Sequence, residues 1–198
     1  MATEPRKINT MLLALIALLL GGLIFVVAVK NNDPMDEMVG HMGHSSASGS
    51  LTGADVMFLQ MMIPHHQQAV DMSKLALEKS SNTQLRDLAT RIKSAQTSEI
   101  AQMKKWLNDA GASEDPGHSM SGMGGMLSAT EFAALKSATG TTFDRLWLEG
   151  MIGHHDGAIH MTTMIEDAQN SEIKAFGKNV VKVQSAEIKE MQAILANL

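Results

Sequence analysis

Two adjacent histidines occur twice in this chain, each time between methionines at helical spacing. His65 and His66 stand between Met62 and Met72, and His154 and His155 stand between Met151 and Met161. In the second copy His160 and Met164 add one more imidazole and thioether close by. At about 100° per residue, the Met and His side chains of each copy share one broad helix face. Imidazole and thioether together suit a soft ion, Cu(I) above all with Ag(I) as its mimic, whereas hard ions prefer oxygen. The bland alternative is that Met fills core gaps and that a buried His is a hydrogen-bonded core residue. A single pair would leave that alternative ahead. A flanked pair that recurs in register favours ligation.

More thioethers and imidazoles lie where no regular helix can bury them. Met35, Met38, His41, Met42 and His44 fall in residues 31–52, a Gly- and Ser-rich tether without helical period. His118, Met120, Met123 and Met126 fall in a similar stretch, residues 111–127. Exposed Met invites oxidation, so these clusters are expected to capture metal ions as well. An imidazole must be neutral to bind metal and a thioether has no proton to lose. Unperturbed histidines would therefore release the ion between roughly pH 7 and 5, while thioether sites would keep it.

Composition narrows the function further. Seventeen of 198 residues are Met and none is Cys, which excludes disulfides, a thiolate nucleophile and Cys-based zinc or iron–sulfur sites. A formal charge of −5 gives no electrostatic case for a nucleic-acid partner. A di-iron oxidoreductase of the ferritin-like kind needs Glu-x-x-His motifs, and the chain has none. It also lacks a serine elbow and a phosphate-cradling Gly loop. A binding protein, not an enzyme, is expected.

The elements that must position these residues repeat with them. Over the eighteen positions from Asp55 to Met72, eight match the segment Asp144 to Met161. Further on, Gln96-x-x-Glu99-Ile100-x-x-Met103 recurs as Gln184-x-x-Glu187-Ile188-x-x-Met191. Two copies of a helical hairpin predict an all-α fold, a four-helix bundle with a short extra helix near residues 128–139. Thr52-x-x-Asp55, Ser81-x-x-Gln84, Ser128-x-x-Glu131 and Thr141-x-x-Asp144 read as capping boxes. Asp55 and Asp144 are therefore expected to cap helices. Glu99 and Glu187 either accept hydrogen bonds from the His rings or face solvent. Pro64 and Gly153 precede the pairs and either loosen each helix at the same point or, for Pro64, mark a helix start.

Ahead of all this, Met11 to Val29 forms an uninterrupted apolar run following Arg6 and Lys7. As a helix it spans roughly 28 Å, near the thickness of a bilayer core. An uncleaved single-pass anchor with a cytoplasmic N-terminus fits better than a cleaved signal peptide. The expected organisation is residues 1–30 as N-terminus and anchor, 31–52 as tether, and 53–198 as an extracytoplasmic bundle. Within the bundle, 53–110 and 128–198 are the repeats and 111–127 the Met-rich loop.

The doubled Met-Ile-x-His-His string and the Gln-x-x-Glu-Ile-x-x-Met segments resemble the family known as domain of unknown function 305, from about Leu51 onward. That resemblance implies a ferritin-like four-helix fold in a secreted or anchored protein. Its CopM-like members bind copper and silver in the periplasm. Carried over residue by residue, it points to Met62, His65, His66, Met72, Met151, His154, His155 and Met161. The expected role is sequestering or ferrying Cu(I) for copper homeostasis or resistance, with the membrane and a copper-exporting or copper-accepting protein as partners. A structural or partner-binding helical domain without metal is the alternative.

Overall fold

The computed structural model describes residues 50–115, 117 and 124–198. The expected anchor, the tether residues Met35, Met38, His41, Met42 and His44, and the loop residues His118, Met120 and Met123 lie outside the described residues. Among the described residues no helix is long and apolar enough to cross a membrane.

Five α-helices and one 3-10 turn make up the described chain: α1 (Gly53–Lys79), α2 (Thr83–Asp109), α3 (Ala129–Ser137), α4 (Gly140–Met161), the turn Thr162–Ile165, and α5 (Ser171–Leu195). Two starts are the expected capping boxes. Thr52 and Asp55 satisfy each other's backbone N–H groups at α1, and Ser128 and Glu131 do the same at α3. Such a cap stabilises a helix by roughly 1 kcal/mol. The other two boxes do not form. Asn82 caps α2 through Leu85 N–H, displacing Ser81, because its short carboxamide reaches that donor directly. At α4 the chain turns through Gly140, whose φ of 57° suits glycine, and the helix starts before Thr141. Asp144 is thus a buried residue of α4 rather than a cap.

Helices α1 and α2 form one hairpin, α4 and α5 the other. α1 lies against α4, α2 meets α5, and α3 packs on α4. The four long helices close a ring around two apolar clusters. Phe58, Met62, Met103, Met161 and Phe176 belong to one, and Met72, Leu88, Trp147, Met151 and Met191 to the other. Burying each such side chain stabilises the fold by roughly 1.5–3 kcal/mol. Trp147 also ties the hairpins together, its indole N–H donating to the Met72 carbonyl at 2.9 Å. Pro64 sits in the middle of α1, not at a helix start. It leaves one carbonyl of the preceding turn without its helical donor, close to the level of the histidine pairs.

Candidate metal centre

Four imidazoles meet where α1 lies against α4, and all four are fully buried. The rings of His65 and His154 lie with centroids 3.7 Å apart and planes inclined by 39°. Within each pair the neighbouring rings are 6.4 Å apart. The two His-His pairs therefore form one layer.

Each ring but one is oriented by an oxygen acceptor. His66 Nε2 donates to Glu99 at 2.9 Å, His155 Nε2 to Glu187 at 2.7 Å, and His154 Nε2 to the main-chain carbonyl of His65 at 3.0 Å. A carboxylate or carbonyl oxygen requires the proton on Nε2, which leaves Nδ1 with its lone pair. Those Nδ1 atoms have no hydrogen-bond partner, and the His65 ring has only the Gly124 backbone as a polar neighbour. Buried polar atoms are rarely left so. The pattern matches the usual arrangement of a metal-binding histidine, which donates one ring N–H to a carboxylate or carbonyl and offers the other nitrogen to the ion.

Electrostatics keeps the layer ready for a cation. Burial lowers the His65 pKa to about 3, with His66 and, less strongly, His155 adding to it and the Gly124 backbone opposing. His154 also lies well below the ordinary range, through burial first, then His65, His155 and His66, partly offset by its bond to the His65 carbonyl. Both rings are neutral at physiological pH, the form that binds metal.

The core methionines lie to either side. Met62 and Met161 belong to one apolar cluster, Met72 and Met151 to the other, so each cluster takes one of these four thioethers from each repeat. Met164 is half-buried at the edge of the first cluster. His160 does not join the layer. It is exposed at the end of α4, six residues beyond His154 and so about 240° around the helix. Among the described residues no three His, Asp or Glu side chains converge on one point.

Sequence reasoning leaves the setting of the loop between the hairpins unread. Gly124 and Gly125, the latter at a φ of 84°, lie against α4 so closely that a Cβ on Gly157 would sit 2.0 Å from the Gly124 carbonyl oxygen. From the other side, the Gln68 side chain clasps Leu127, accepting from its N–H at 2.8 Å and donating to its carbonyl at 2.9 Å. Gln68 and Gly157 are equivalent positions of the two repeats. Their mismatch is the signal that one loop serves both copies. Met126, half-buried, lines a cavity of about 420 Å³ between this loop, α3 and α4.

An all-α bundle with a buried imidazole layer is the class of protein that this fold and site define. The family model for the domain of unknown function DUF305 matches residues 55–195, and the chain belongs to that family. A DUF305 fragment from Deinococcus radiodurans is 34% identical, with a TM-score of 0.70 over 76% of this chain and 100% of that one. A DUF305 protein from Streptomyces coelicolor is 29% identical, with a TM-score of 0.69 over 73% and 91%. CopM in its Cu(I)-bound form is 33% identical, with a TM-score of 0.62 over 72% and 96%; CopM is also solved with Cu(II) and with silver bound. No curated protein sequence matches the chain.

Proposed function

We propose that this chain is a metal-binding protein that sequesters or ferries Cu(I), with Ag(I) as its mimic, outside the cytoplasm and without turnover of a substrate. One observation carries the reading: the His65 and His154 rings meet at 3.7 Å, buried and neutral, each with a ring nitrogen left over for a metal. Leaving such nitrogens unpaired in the core costs roughly 1–3 kcal/mol each, a cost that a soft ion removes. The likeness to CopM, solved with Cu(I) and silver, supports the choice of ion. His65, His66, His154 and His155 would supply nitrogen, with the thioethers of Met62, Met72, Met151 and Met161 on either side. The Met- and His-bearing tether and loop would collect ions for them, and the run from Met11 to Val29 would hold the protein at the outer face of the membrane. Protease added to intact cells should then remove the bundle and leave that run in the membrane fraction.

The deciding experiment is an anaerobic Cu(I) titration of the full-length chain against a chromophoric competitor. Changing His65, His66, His154 and His155 together to Ala should abolish the tightest binding and leave weaker thioether binding. Equal affinity and stoichiometry in parent and variant would make the histidines a structural network and sink the reading.

A further inference from the structure

The repeated Gln-x-x-Glu motif brings a different kind of ligand together on the other side of the bundle. Gln96 and Glu99 lie one turn apart on α2, and Gln184 and Glu187 one turn apart on α5. Where these helices meet, all four line a single cavity of about 10 Å³, otherwise walled by aliphatic side chains. That is room for one water-sized occupant.

Side-chain oxygens around this cavity lack donors among the described residues. Gln96 and Gln184 are each 3% exposed, and the side-chain oxygen of each is buried without a hydrogen-bond partner. Glu99 and Glu187 each use one carboxylate oxygen to accept from His66 and His155. The second oxygen makes no hydrogen bond to any described residue. A water has two protons and would serve two of these four groups. A divalent cation serves all four and balances the two carboxylates.

The chemistry of the set chooses the ion. Carboxylate and carboxamide oxygens favour hard cations with oxygen coordination, and are poor ligands for Cu(I). The carboxylates alone do not bring three acidic or imidazole groups together; the carboxamides complete the set. With the side chains of Glu99 and Glu187 20% and 13% exposed, the ion could enter from solvent without crossing the apolar core. We propose that the seam between α2 and α5 is a second metal site, joined to the imidazole layer through Glu99 and Glu187, that takes one hard divalent cation of the Mn2+ or Ca2+ class.

Mn2+ alone tests this, added to the full-length chain and followed by loss of the electron paramagnetic resonance signal of the free aqua ion. The parent should take up one equivalent. Changing Gln96 and Gln184 together to Leu should weaken binding at least tenfold with the far-ultraviolet circular dichroism unchanged. His65→Ala with His154→Ala should leave Mn2+ binding as it is. Should the Gln variant lose helicity, Glu187→Gln alone decides by the same tenfold criterion. A parent that takes up no Mn2+ at millimolar concentration, or a helical variant that binds it as the parent does, overturns the site and leaves the cavity to water.

Discussion

The imidazole of His154 donates to the main-chain carbonyl of His65, 89 residues earlier, at 3.0 Å. The first repeat thus orients a ring of the second. If Cu(I) binds at this layer, His65→Ala and His154→Ala should each abolish the tight site, and the double variant should lose little more. Two independent sites would instead show halved stoichiometry in each single variant and none in the double. Competition titrations of the three variants separate these outcomes.

Protonation gives a second test. Histidines with a pKa lowered in the folded state leave the unfolded chain binding protons that the fold excludes. Stability is therefore fully present above about pH 6.5, the unfolded value, and declines as pH falls toward the His65 value of about 3. The slope should approach roughly 1.4 kcal/mol per pH unit for each of His65 and His154. Urea unfolding of the metal-free chain between pH 7 and 4.5 should show it, and the paired change of His65 and His154 to Leu should flatten it. The same burial revises the expectation for metal release. These imidazoles do not compete with protons between pH 7 and 5, and Cu(I) should stay bound down to lower pH.

The carboxylates behind the outer rings lend themselves to a conservative change. Glu99→Gln and Glu187→Gln keep the shape but weaken the acceptors for His66 and His155. Losses of about 10- to 100-fold in Cu(I) affinity are expected, the range found when a partner behind a metal-binding histidine is removed. Unchanged affinity would mean that only His65 and His154 touch the ion.

Two glycines of α4 make opposite predictions. A Cβ at Gly153 meets nothing within 4 Å, so Gly153→Ala should stabilise the helix by about 0.5–1 kcal/mol. A Cβ at Gly157 would meet the Gly124 carbonyl carbon and oxygen and the Gly125 Cα, all backbone. Gly157→Ala should push the loop off α4 and cost about 1–3 kcal/mol. Denaturant midpoints of the two variants should move in opposite directions.

The helices themselves are legible in the sequence because their signals are local. Thr52 and Asp55, or Ser128 and Glu131, lie three residues apart and declare a helix start without help from the rest of the chain. The meeting of the histidine pairs is not local. It depends on how α1 packs against α4, and a repeat offset says nothing about whether equivalent residues face each other. His160 shares a helix with His154 but not a face. Glu99 and Glu187 remain ambiguous on sequence alone, since a carboxylate on an amphipathic helix reads the same whether it meets water or an imidazole. The clasp on Leu127 leaves a trace only as a discrepancy, Gln68 against Gly157, in an otherwise matching pair of segments.

The bond between His154 and the His65 backbone joins the two hairpins across most of the folded chain. An ion held by both rings would act there as a removable staple. In the chain-entropy picture, a cross-link closing a loop of about 100 residues takes roughly 4.7 kcal/mol of freedom from the unfolded state. A loaded molecule would then resist unfolding and proteolysis much longer than an empty one. Proteases could clear unloaded copies and spare those carrying an ion, so that the amount of protein would follow the supply of metal without any change in synthesis.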